Sequence, residues 1–172
     1  WEANYFDFTR DSLVSLAAQA AEAGAELFVL DDGWYGRRDD TTTSIGDWIP
    51  YEKKLGGNLE SLISDIRKRK IAFGLWFEPE MVSPISELYK EHPDWCIHIP
   101  GRNRSEARRQ LILDYSREDV CNYIIEKISE VLSSAPISYV KWDMNRSMSE
   151  VYSAGVGSGD QGKVLHLSLI HI

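Results

Sequence analysis

The sequence predicts an α/β fold on a parallel sheet, and more narrowly a partial (β/α)8 TIM barrel. Three observations carry this expectation. Short continuous apolar runs, such as Leu27-Phe-Val-Leu30, suit strands buried on both faces. Segments of helical period alternate with them. Each run ends in a cluster of polar residues, and right-handed crossovers bring all such ends to one side. An open doubly wound sheet would also gather its strand ends, but it normally carries a Gly-rich phosphate loop, which this sequence lacks. A complete barrel takes roughly 250 residues, so about half of one is expected here.

Leu13, Leu16, Ala17, Ala20 and Ala21 follow helical spacing behind Asp11 and Ser12 as capping candidates, and Gly24 ends the pattern. The strand Leu27-Phe-Val-Leu30 runs into Asp31-Asp32-Gly33-Trp34. Residues 35–57 hold no sustained period and carry Gly, Pro, Asp and Thr, which predicts a long loop. Asn58 is placed to cap a helix with Leu59, Leu62, Ile63 and Ile66 on one face and a cationic end at residues 67–70. Residues 71–77 form a second buried strand, followed by Glu78-Pro-Glu80. Ser83-Pro84 predicts the opening of a short helix. Residues 92–109 are an Arg-rich loop and residues 110–113 a short strand. Ser116 and Asp119 resemble a capping box ahead of Val120, Tyr123, Ile124, Ile128, Val131 and Leu132. The last strand begins at Ile137, and Lys141, Trp142, Asp143, Asn145 and Arg146 crowd behind it.

A composition of 43% hydrophobic and 27% charged residues suits a folded globular domain. The net charge of −8 leaves no field to attract phosphate backbones, so nucleic acid is not an expected partner. No apolar run approaches the roughly 20 residues of a membrane span, and the chain opens on no cleavable signal pattern. Cys96 and Cys121 lack C-x-x-C spacing, which argues against zinc and against a disulfide framework. No metal ligand set is assigned. Residue 1 is Trp, so the natural start is expected upstream.

Aromatic plates beside carboxylates are what a sugar needs, since its C–H faces pack on rings while its hydroxyls require charged or amide partners. Trp34, Trp76 and Trp142 stand at or beside inferred strand ends, with Asp31, Asp32, Glu78 and Asp143 close by in sequence. Glycoside cleavage needs two carboxyl groups, and a retaining enzyme uses one of them as nucleophile. Asp143 is the nucleophile candidate, because Lys141 and Asn145 flank it and could keep it ionised and oriented. Asp31 and Asp32 suit gripping hydroxyls. Neighbouring carboxylates on an extended segment point in opposite directions, so one of the two is as readily a loop brace. Glu78 and Glu80 straddle Pro79, which separates their directions and assigns them to bracing the strand end. In the Arg-rich loop, Arg108 is the residue singled out for a role. A different enzyme class also fits: Asp31, Glu78 and Asp143 as ligands of Mg²⁺ in a barrel lyase or isomerase. A third reading is a sugar-binding module that cleaves nothing.

The motifs Trp1-Glu-Ala-Asn-Tyr-Phe-Asp-Phe8, Leu27-Phe-Val-Leu-Asp-Asp-Gly-Trp34, Gly46-Asp-Trp48, Phe73-Gly-Leu-Trp-Phe-Glu-Pro-Glu-Met81, His92-Pro-Asp-Trp95 and Lys141-Trp-Asp-Met-Asn-Arg146 together resemble the α-galactosidases of glycoside hydrolase family 36. The resemblance implies a retaining enzyme, without a cofactor, that removes terminal α-galactose from oligosaccharides of the melibiose and raffinose type. It implies Asp143 as nucleophile and Asp31, Asp32, Trp76, Arg108, Lys141 and Asn145 as substrate-binding residues. A galactosyl transferase on the same scaffold is a close variant. The family usually has Gly where this chain has Ala107. By this resemblance residues 1–166 are the first half of the barrel, from the end of strand 1 to strand 4, and residues 167–172 are a truncated or non-native tail. The acid/base carboxylate and the flanking β domains are expected outside these 172 residues, so the isolated chain is expected to be inactive and prone to aggregate. Family members further imply a homo-oligomer, a tetramer among them, and a bacterial cytoplasmic location, with which two unpaired cysteines agree.

Overall fold

The computed structural model describes residues 1–146 and 150–164. In chain order its elements are α1 (Arg10–Glu22), β1 (Leu27–Leu30), α2 (Glu52–Leu55), α3 (Leu59–Arg67), β2 (Ala72–Phe77), β3 (Met81–Val82), α4 (Glu87–Glu91), β4 (Leu111–Ile112), α5 (Glu118–Ser134) and β5 (Tyr139–Trp142). The chain divides into two compact units. One gathers Trp1–Asp40, Trp48–Phe77 and Ile128–Asp143; the other gathers Thr41–Asp47, Glu78–Lys127 and the chain from Met144. The tail expected at residues 167–172 lies outside the described residues.

The first unit holds a three-stranded parallel sheet in the order β1-β2-β5, as the alternation of strands and helices predicts. Leu27 to Leu30 pair with Ala72 to Leu75, and Gly74 to Phe77 pair with Tyr139 to Trp142. β5 begins two residues later than expected, although Ser138 already donates its N–H to the Phe73 carbonyl. Residues 1–8 turn, with Asn4 and Tyr5 donating to the Trp1 carbonyl, and contribute no strand.

α1 starts two to three residues earlier than its predicted caps, Asp11 and Ser12, allow. Thr9 caps it, its hydroxyl accepting from the Ser12 N–H while the Ser12 hydroxyl accepts from the Thr9 N–H. Ser12 is therefore the reciprocating third residue of a capping box, which contributes about 1 kcal/mol. Asn58 caps α3 as expected, accepting from the Ser61 N–H. The apolar face of α3, Leu59, Leu62, Ile63 and Ile66, is buried, and each such side chain contributes roughly 1.5–3 kcal/mol. The 35–57 segment is not a bare loop. It contains α2 and packs Tyr35, Trp48 and Leu55 inward, a tertiary override that its mixed composition concealed.

In the second unit the strand expected at residues 110–113 appears as β4, but outside the parallel sheet. It pairs antiparallel with β3, Met81 opposite Ile112 and Val82 opposite Leu111. Ser83-Pro84 does not open α4. The Ser83 hydroxyl donates to the Thr42 carbonyl, and the helix starts only where Ser86 accepts from the Tyr89 N–H and the Asp47 carboxylate accepts from Glu87 and Leu88. Ser116 likewise directs its hydroxyl to Asp114, and Asp119 accepts from the Val120 N–H, so the predicted capping box at α5 is not formed. Among the described residues no helix is long and apolar enough to cross a membrane.

Candidate active site

Register explains the first cluster. Leu30 is level with Leu75, so Asp31 is level with Trp76, and Trp76 is level with Lys141. Alternation along β5 then returns Asp143 to the face of Lys141. Three parallel strands thus deliver Asp31, Trp76, Lys141 and Asp143 to one end of the sheet. Lys141 Nζ donates to Asp31 Oδ2 at 2.6 Å, and Trp76 Nε1 donates to Asp143 Oδ2 at 3.0 Å. The Asp31 carboxylate, reinforced by the field of Asp143, raises the Lys141 ammonium above its ordinary value of 10.5 and keeps it charged.

Trp76 is held rigidly. Its indole is 2% exposed and stacks on Tyr35 at 6.4 Å between centroids, while its carbonyl accepts from Trp34 Nε1 at 2.9 Å. Sequence reasoning placed Trp76 at the site but missed its donor role toward Asp143. It also read Trp34 as a plate, whereas Trp34 is fully buried; of the three tryptophans only Trp142 is exposed.

Asp31 and Asp32 diverge, as an extended backbone requires. Asp32 turns inward and is 8% exposed. Arg38 grips both of its oxygens, Nε to Oδ1 and Nη2 to Oδ2, each at 2.7 Å, and the Tyr35 hydroxyl adds a bond of 2.8 Å. Arg38 is itself 1% exposed and had no signal in the sequence beyond being one cation in a mixed loop.

The second unit holds its own polar cluster. Glu78, directly after β2, accepts from Arg108 Nη2 at 2.6 Å and from the Asn145 backbone N–H at 3.2 Å; Glu80 also accepts from Asn145 N–H, at 3.1 Å. Arg108 stands on a two-residue turn closed by reciprocal bonds between Ala107 and Gln110. Arg108 and Arg109 carry φ of 54° and 57°, the left-handed region, at a cost of about 1–2 kcal/mol per residue for a side chain with Cβ. Ala107 lies outside that region, so the turn does not need glycine there. The Asn145 amide is on an exposed residue.

Burial pushes the Cys96 thiol up to about 12, which removes it as a nucleophile. Among the described residues no three of His, Cys, Asp and Glu gather as metal ligands.

A family model described as Melibiase matches residues 1–172. The chain belongs to the melibiase family. Among melibiase relatives, α-galactosidase AgaA of Geobacillus stearothermophilus is 58% identical over 166 residues, covering 96% of this chain and 23% of the relative. α-Galactosidase Mel36A of Lactobacillus acidophilus is 46% identical over the same coverage. The crystal structure of the family 36 α-galactosidase AgaB of G. stearothermophilus superposes with a TM-score of 0.96 at 57% identity, covering 99% of this chain and 24% of that one. A variant of AgaA in complex with raffinose superposes with a TM-score of 0.95 at 56% identity, covering 99% of this chain and 24% of that one. The chain therefore spans about a quarter of the length of these relatives.

Proposed function

We propose that residues 1–166 are the first half of the (β/α)8 catalytic barrel of a retaining α-galactosidase, with Asp143 as its nucleophile. The observation that carries this reading is the Trp76 N–H aimed at Asp143 beside the Lys141–Asp31 ion pair, at the ends of parallel strands. A donor on one carboxylate oxygen fixes its rotation relative to the anomeric carbon it attacks. In the first step the Asp143 carboxylate forms an ester bond to that carbon as the glycosidic bond breaks, and an acid/base carboxyl from elsewhere in the whole enzyme protonates the leaving oxygen. In the second step water replaces Asp143 on the sugar. Asp31, Asp32 and Lys141 hold galactose hydroxyls, Trp76 shapes the pocket, and Arg108 and Asn145 are further sugar-binding residues. The substrates are α-galactoside oligosaccharides, for which the raffinose complex of a relative is the support. The full-length enzyme is a homo-oligomer, for which a tetramer is the assembly to test. A reducing cytoplasmic location suits two free cysteines.

The test is hydrolysis of a nitrophenyl α-galactoside by the full-length protein, with Asp143→Ala alongside. The variant is expected to lose about 10,000-fold in kcat, and added azide to restore turnover as β-galactosyl azide. A variant that keeps its rate would refute the assignment of Asp143.

A further inference from the structure

Arg146 closes the crowded segment behind β5, yet the proposed chemistry gives it nothing to do. Its guanidinium instead spans both legs of the turn that carries Arg108. Nη1 donates to the Gln110 carbonyl at 3.1 Å; Nη2 donates to the Ser105 carbonyl at 2.7 Å and to the Ser105 hydroxyl at 2.9 Å. The Gln110 carbonyl is the one that also accepts from Ala107 N–H to close the turn. Between these anchors Arg108 and Arg109 both adopt the left-handed conformation, which side chains with Cβ occupy only when neighbouring structure enforces it.

A closed circuit results. Arg146 holds the turn, the turn aims Arg108 at Glu78, and Glu78 Oε1 accepts from the backbone of Asn145, the residue before Arg146. One guanidinium has the planar fork needed to meet acceptors on two chain segments, which the point charge of a lysine lacks. Burial lowers the affinity of Arg146 for its proton, so these three bonds are made by a partly desolvated cation.

We infer that Arg146 is a positioning residue: it clamps the Ser105–Gln110 turn in its strained conformation and thereby sets the guanidinium of Arg108 for sugar binding. The role in binding rests on the α-galactosidase reading; the clamp itself does not.

The experiment uses the full-length protein with Arg146→Met and Arg146→Lys, each alone, with Arg108→Met, and with Arg109→Gly. Arg146→Met is expected to raise KM for nitrophenyl α-galactoside about ten- to hundredfold with a smaller change in kcat. Added to Arg108→Met it should cost little more, because both act through one guanidinium. Arg109→Gly should recover part of the KM lost in Arg146→Met, since glycine takes the left-handed conformation without strain. Arg146→Lys covers the case in which the methionine variant does not fold, with a KM between the two. Limited trypsin digestion reads the clamp without activity: cleavage after Arg108 and Arg109 should speed up about tenfold or more in Arg146→Lys at an unchanged melting temperature. If cleavage at the turn is unchanged, the clamp is overturned. If cleavage speeds up but losses multiply with Arg108→Met, the positioning of Arg108 is overturned. If the unaltered protein does not act on α-galactosides, the functional reading fails, and the digestion result still decides the clamp.

Discussion

Asp31→Asn and Asp32→Asn alter adjacent carboxylates on one strand end, and the surroundings make their costs unequal. Asp32 is 8% exposed, Arg38 is 1% exposed, and the two share a pair of bonds at 2.7 Å. An amide in place of the Asp32 carboxylate keeps one acceptor and turns its NH₂ toward a guanidinium that only donates. Breaking a buried pair from one side costs about 3–5 kcal/mol, and the lower end applies here because the asparagine oxygen still accepts one bond. For a barrel-sized domain, about 3 kcal/mol lowers the melting temperature by roughly 6–12 °C. Asp31 answers to Lys141, whose side chain is 44% exposed, so solvent screening limits its loss to about 1 kcal/mol or less. Thermal melts of the full-length parent and both variants, followed by KM for an α-galactoside, separate the two roles. Both variants should bind sugar less well, but only Asp32→Asn should melt far below the parent. An Asp32→Asn protein melting within about 2 °C of the parent would refute the reasoning, because the Arg38 pair would then brace nothing.

Three further perturbations follow from other parts of the molecule. Trp76→Phe keeps a ring against Tyr35 but removes the donor to Asp143, a bond to a charged acceptor of about 1.5–3 kcal/mol. Steady-state kinetics should show kcat/KM reduced by about ten- to hundredfold. Gly46 has φ of +104°, and a Cβ there would stand 2.9 Å from Val82 Cγ2, so Gly46→Ala should cost about 2 kcal/mol or more in a melt. Gly24→Ala is its control, with φ of +90° and nothing within 4 Å, and should lose only the backbone part, about 1 kcal/mol. Arg117 hydrogen-bonds Asp119 and holds its carboxyl below the ordinary 3.8. The folded value is the lower one, so this stabilisation is present above about pH 4 and is lost as pH falls through the folded value. Melts of parent and Asp119→Asn should differ by less than about 1 kcal/mol near pH 6, given a half-exposed carboxylate, and should converge in acid.

The strands at Leu27–Leu30 and Ala72–Phe77 and the helix capped by Asn58 were legible in the sequence because period and punctuation are local properties. Elements whose ends depend on distant partners were not. Ser83 looked like a cap and instead serves the Thr42 carbonyl, 41 residues away in sequence; residues 110–113 read as a short strand with no partner specified, and β4 pairs antiparallel with β3. α2 was hidden in a loop because four residues with mixed polarity carry no period.

What the sequence determined by itself was the alternation of strands and helices, the ends of the strands, and the set of residue types those ends present. A strand's side chains follow its backbone, so Asp31, Trp76 and Lys141 were bound to emerge at the sheet's end once the register was formed. Tertiary structure alone decided which partner each group meets. Asp32 turns to Arg38 while Asp31 takes Lys141, the Trp76 indole reaches Asp143, and Arg146 ties the turn under Arg108. These are contacts between residues far apart in the chain or turned by loops, and hydrogen bonds at such separations depend on ångström-level geometry that no local pattern encodes.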